Sequence, residues 1–166
     1  MELNKKQTNK IIFLDVDGVL NCSSTKDRCM GYIGIEDKKV LYLKQIVDTT
    51  KASIVLVSTW KYYWHKEKEM KWKQDEMANY LDEKLNKQGL FILDKTDDEV
   101  INRGEGILDY INNLNDMGIS VDKFIIIDDE MFDYKVTKLT KNLIKTGFYN
   151  GGLLNKHMEK AIEMLI

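Results

Sequence analysis

The sequence predicts an α/β fold of three layers, a mostly parallel five-stranded sheet between helices. Three observations carry that expectation. The strand candidates are short, continuous apolar runs rather than alternating ones, as in sheets buried on both faces. They alternate with stretches of helical periodicity, the pattern of parallel strands joined by crossover helices. Polar and charged residues begin abruptly where the apolar runs stop.

The elements follow in order. The first strand covers 11–16, from Ile11-Ile12-Phe13-Leu14 into Asp15. From Ile35 to about Thr49, Val40, Leu43 (or Leu41), Ile46 and Val47 form a helical stripe. Ser53-Ile54-Val55-Leu56-Val57-Ser58 is a second buried strand. A long, highly charged stretch from about Trp60 to Gln88 has the composition of a helix, with Gly89 as its stop. Leu90-Phe91-Ile92-Leu93 is a short third strand. Thr96-Asp97-Asp98-Glu99 has capping-box form, which starts either a helix or a turn. Ile107, Leu108, Ile111, Leu114 and Met117 give a helix over 105–117, ended by Gly118. Phe124-Ile125-Ile126-Ile127 is the fourth strand, closed by Asp128-Asp129. Residues 142–146 make a weaker fifth, and 153–166 a final amphipathic helix. No linker, repeat or low-complexity segment interrupts the run, so one domain over 1–166 suffices.

Composition excludes several classes. The chain has 166 residues, 43% hydrophobic and 31% charged, which is neither disordered nor membrane-spanning. It contains no apolar stretch of ~18 residues. The segment from Met1 to Lys10 is polar and has no apolar signal core, so the expected location is cytoplasmic. A net charge of −2 argues against a generally basic nucleic-acid binder but leaves room for a local groove. Cys22 and Cys29 lack zinc spacing and read as a reduced pair.

The strand ends carry the chemistry. The first strand ends in Asp15 and Asp17, the second in Ser58 and Thr59, the fourth in Asp128 and Asp129. Ligands of open α/β sheets bind outside the carboxyl ends of the strands, so these residues share one crevice. Gly18 lets the chain turn sharply beside the first pair. Carboxylates crowded there repel, and a hard divalent cation with oxygen ligands, Mg²⁺ first, relieves the repulsion. Arg103 stands at a helix start, where anions are favoured; Lys95 and Lys123 are its rivals. The bland alternative for each pair is a solvated strand end or a helix cap, and the convergence of several argues against it.

Asp15-Val16-Asp17-Gly18-Val19-Leu20 resembles the first motif of the haloacid dehalogenase-like (HAD) phosphotransferases. Ser58 resembles the second motif, Arg103 the third and Asp128-Asp129 the acidic fourth, in the right order from residue 11 to about 155. The resemblance implies a Rossmann-like fold with a minimal cap, because 21–36 is too short for a helical cap domain. It implies a Mg²⁺-dependent phosphomonoester hydrolase with Asp15 as nucleophile and Asp17 as general acid, then base. Ser58 would bond a phosphoryl oxygen and Arg103 balance its charge. Asp15, the backbone carbonyl of Asp17, and Asp128 would hold the metal, with Asp129 close by. Ser58-Thr59-Trp60-Lys61, Arg103-Gly104-Glu105, Asp128-Asp129 and Gly152-Leu153 are similar, more loosely, to HAD-type domains of RNA-repair ("Swiss Army knife") proteins. That points to nucleotides or polynucleotide ends as phosphorylated substrates, with Gly18, Thr59, Trp60 and Lys61 near enough to touch them.

Competing readings have less support in the residues. Trp60, Tyr62, Tyr63, Trp64 and Trp72 interleave with lysines, which suits a single-strand stacking surface. A helix with its aromatic face on the core explains them better, and Glu67, Glu69, Asp75 and Glu76 dilute the positive charge. His65 and His157 are isolated and read as non-ligands. A non-catalytic phosphoacceptor of the receiver type would place its acceptor after the third strand, at Asp94, which does not fit the order of acidic pairs. A nucleic-acid-end binding module that has lost turnover is disfavoured because every acidic position is intact.

Overall fold

The computed structural model describes residues 9–166; residues 1–8, most of the polar amino-terminal segment, lie outside the described residues. The chain runs β1 (Asn9–Leu14), a small hairpin of β2 (Arg28–Cys29) and β3 (Tyr32–Ile33), then α1 (Asp37–Thr50). It continues through β4 (Ser53–Leu56), α2 (Glu76–Asn86), β5 (Ile92–Lys95) and α3 (Arg103–Asp116). β6 (Val121–Asp128), β7 (Leu143–Lys145) and α4 (Asn155–Leu165) complete it.

The main sheet has the order β5-β4-β1-β6-β7, and every pairing in it is parallel. Burial on both faces explains the unbroken apolar runs. Ile12 and Leu14 of β1 join the core on one face, while Ile11 and Phe13 join the other. The first face is covered by α1, α2 and α4, through residues such as Leu43, Leu81 and Met158. The second is covered by α3 through Ile107 and by the 134–139 loop through Tyr134 and Leu139. Thus the crossovers from β1 to β4 and from β4 to β5 use one face, and the return from β5 to β6 uses the other. The direction of winding reverses at β1, and a reversal of this kind opens a crevice at the carboxyl ends of the adjoining strands. None of the described helices is long and apolar enough to cross a membrane.

One expectation needs correction. The stretch from Trp60 to Gln88 is not one helix. It comprises short 3₁₀ turns at Thr59–Tyr63 and Lys68–Lys73, followed by α2. Tertiary burial overrides helical composition here. Trp64 is driven into the core, and its indole N–H donates to Asp82 Oδ1 at 2.9 Å. Gln74 is extended and buried, and bonds Asn79 and Asp82. Asp75 then caps α2 afresh by accepting from Ala78 N at 2.8 Å. Of the two starts open to Thr96-Asp97-Asp98-Glu99, the turn is the one formed, with Glu99 N donating to Asp97 Oδ1.

The β2–β3 hairpin lies in the segment between the first motif and α1. Its turn residues Met30 and Gly31 both have positive φ, as tight two-residue hairpin turns require. Its base is seated on α2: the Tyr80 hydroxyl accepts from Ile35 N at 3.0 Å. Gly34 permits that approach, because a Cβ there would stand 2.5 Å from the Tyr80 oxygen. Tyr80→Phe leaves the buried Ile35 N–H without its acceptor. The substitution is expected to lower unfolding stability by about 1–3 kcal/mol, read by urea denaturation at unchanged m value.

Candidate active site

Asp15 follows β1 directly, and its N–H still donates to Ile127 O at 3.0 Å. It is thus held in the sheet between β4 and β6 rather than on a free loop. Immediately after it the chain turns, with Val19 N and Leu20 N donating to Val16 O. Asp128 ends β6, beside β1, and Asp129 follows it. Asp15, Asp128 and Asp129 each bring a carboxylate oxygen within 4.8 Å of the others. Asp15 is 3% and Asp128 0% exposed.

Burial and repulsion set the electrostatics. Burial first, then the charge of Asp128, hold the Asp15 carboxyl well above its ordinary value, partly opposed by Arg103. Burial and Asp128 also raise Asp129. Arg103 bridges the cluster through one nitrogen, 3.1 Å from Asp15 Oδ1 and 2.8 Å from Asp128 Oδ2. Although burial opposes the guanidinium charge, the two aspartates more than offset it and raise Arg103. The Tyr134 hydroxyl donates to the same Asp128 oxygen at 2.7 Å, and burial and that carboxylate hold the phenol protonated.

The two aspartates of the first motif are separated by environment. Asp17 is exposed and its carboxylate stands outside the triad. Asn21 Nδ2 donates to Asp17 Oδ1 at 2.9 Å, and the Trp60 indole N–H donates to Oδ2 at 3.0 Å. Gly18 lies between the two environments with φ +78°, and a Cβ there would fall 2.2 Å from Asp129 Oδ2. Ser58, buried one strand over, accepts from Trp60 N at 3.2 Å. Thr59 is exposed beside Trp60. Lys61 is turned elsewhere: its buried ammonium donates to Thr96 Oγ1 and Asp97 O, each at 3.0 Å. Of the three basic candidates, Arg103 reaches the triad. Lys95 bonds Lys61 O and Asp98, and Lys123 bonds Ile166 O.

Several supporting residues were not evident from the sequence. Asn21 is fully buried; its Oδ1 accepts from Gly18 N and its Nδ2 also donates to Gly34 O. Asp133 accepts from Gly104 N at 2.7 Å and Glu105 N at 3.1 Å, capping α3 from a distant loop. That cap seats the helix turn carrying Arg103, whose guanidinium also lies 4.2 Å from the Phe132 ring centre. Gly104 permits that cap, because a Cβ there would meet Thr137 Oγ1 at 2.5 Å. Tyr134 had no signal in its local pattern.

The donor set of the triad is all carboxylate oxygen, crowded and partly buried, which is compatible with a hard cation such as Mg²⁺. No curated protein matches the chain. The family model of the HAD domain in Swiss Army Knife RNA repair proteins matches residues 11–157. That span takes in every residue of the triad together with Asp17, Ser58 and Arg103, and the chain belongs to this family.

Proposed function

We propose that the protein is a Mg²⁺-dependent phosphomonoester hydrolase working through an aspartyl-phosphate on Asp15, on nucleotides or polynucleotide ends. The observation that carries this reading is the division of labour between Asp15 and Asp17. One is buried among carboxylates and Arg103; the other is exposed, tethered by two N–H donors and free of the triad. A nucleophile and a proton carrier need that separation.

In the first half-reaction an Asp15 carboxylate oxygen attacks phosphorus as the bond to the leaving oxygen breaks. Asp17 gives its proton to that oxygen, so an alcohol departs rather than an alkoxide. In the second half, water attacks the phosphorus of the acyl phosphate, Asp17 takes the water proton, and inorganic phosphate leaves with Asp15 regenerated. Arg103 and the Ser58 hydroxyl offer N–H and O–H donors to the phosphoryl oxygens, in a site whose low exposure strengthens such bonds. Asp15, the Asp17 carbonyl and Asp128 would hold Mg²⁺, with Asp129 close by, and the ion would supply charge neutralisation of nucleophile and phosphate. A phosphoacceptor role for Asp94 has less support, since its carboxylate already accepts from Tyr110 and Lys66.

Two expectations follow. Asp15→Asn lowers kcat by about a thousandfold or more on any phosphomonoester. Asp17→Asn lowers it by about 10²–10⁴-fold on an alkyl phosphate, and far less on p-nitrophenyl phosphate, whose leaving group departs unprotonated. Steady-state kinetics of both variants checks this; full activity in Asp15→Asn defeats the mechanism. Separately, Mg²⁺ near a hundred times its Kd is expected to stabilise the fold by about 2.7 kcal/mol, seen as a raised Tm. Asp128→Asn should lose that rise, and a rise of equal size in the variant would place the cation elsewhere.

A further inference from the structure

A cavity of about 240 Å³ opens beside Asp17, and neither Arg103 nor any acid of the triad lines it. Four separate segments build it: Asp17 after β1, Tyr32 on the hairpin, Trp60 and Tyr63 on the first 3₁₀ turn, Asp75 and Met77 at the start of α2. Tyr32 is 66% and Tyr63 63% exposed, so neither ring is there to fill the core. Three aromatic rings and a thioether make polarisable walls suited to a planar ring. Among the described residues, the charged groups lining the cavity are the carboxylates of Asp17 and Asp75, with no lysine, arginine or histidine. Such walls repel phosphate and accept hydrogen bonds from ring or exocyclic N–H groups.

Asp17 connects this cavity to the chemistry. On the phosphatase reading, it protonates the oxygen that leaves phosphorus, and whatever that oxygen belongs to must lie against Asp17. The Trp60 indole, which holds Asp17 Oδ2, is itself a wall of the cavity. The substrate is therefore divided, with its phosphate toward Arg103 and its organic part toward the aromatic rings.

We propose that this cavity binds the base of the one nucleoside whose phosphate is cleaved. Its volume is below the roughly 300–1,000 Å³ of sites for drug-sized ligands, room for one ring system rather than a run of bases. None of the described residues that line it is cationic, so none would receive a second backbone phosphate. A free nucleotide and a polynucleotide end present the same terminal nucleoside, and that shared unit is what the site reads. The inference rests on the phosphatase reading for the placement of Asp17, but the cavity can be tested without turnover.

With Mg²⁺ present, adenosine 3′- and 5′-monophosphates are compared with ribose 5-phosphate, which has no base. The better adenosine ester is expected to exceed ribose 5-phosphate in kcat/KM by about tenfold or more, the scale of aromatic–base stacking. In the Tyr32→Ala/Tyr63→Ala double variant that ratio should fall toward one. A wild-type ratio near one, or a ratio unchanged by the double variant, overturns the proposal. A terminally phosphorylated oligonucleotide run in parallel shows which source is preferred, and both tyrosines should be needed for either. If no phosphomonoester is hydrolysed, the phosphatase reading fails by itself. Adenosine binding, followed by tryptophan fluorescence, then decides the cavity: affinity about tenfold weaker in the double variant supports it, and equal affinity or no binding to the wild type defeats it.

Discussion

Everything at the carboxyl end of this sheet answers to the repulsion among Asp15, Asp128 and Asp129. At an effective dielectric near 20, each ionised pair at such separations costs about 3–4 kcal/mol. The fold accepts that because the strands carrying Asp15 and Asp128 are neighbours with an apolar register on both faces. Arg103 offsets part of it, and Tyr134 and the Glu130 N–H satisfy oxygens of Asp128. The remainder keeps the Asp15 carboxyl raised. An arrangement so incompletely compensated is poor economy for stability alone, and it makes sense as a receptor for added positive charge.

The position of Arg103 shows how far that constraint reaches. Its nitrogen must lie between two carboxylates on different strands, which fixes the first turn of α3 in space. Asp133 caps that turn through the Gly104 and Glu105 N–H groups, and the absent side chain of Gly104 allows the loop to close over it. Phe132, at φ +42°, lies against the guanidinium from the same loop. Residues 128–134 thus contribute an acid, a phenol, a ring and a helix cap to one charge network within a single turn of chain.

The sheet was legible in the sequence because central parallel strands must be apolar on both faces, and 11–14, 54–57 and 124–127 are. Strand ends were legible for the same reason: a carboxylate placed directly after such a run has one crevice to enter. Local pattern failed where long-range contacts decide conformation. The 60–88 stretch has helical composition, yet burying Trp64 and Gln74 breaks it into short turns before α2. The hairpin at 28–33 depends on the Tyr80 hydroxyl, forty-five residues further along from Ile35. Tyr134 and Asp133 gain their roles from partners in other elements, which no spacing rule encodes.

The seating of the hairpin has one more consequence. Gly34 and Ile35 are tied to Tyr80, and Gly34 O is tied through Asn21 to Asp17. The segment between β1 and α1 and the longer one between β4 and β5 are therefore a matched pair. Transplanting either alone into a related scaffold would separate the ring of Tyr32 from its counterpart Tyr63 and leave Asp17 on a loosened hinge. A change in either segment is therefore felt at Asp17 through Tyr80, Gly34 and Asn21, while the sheet and its acids can stay as they are.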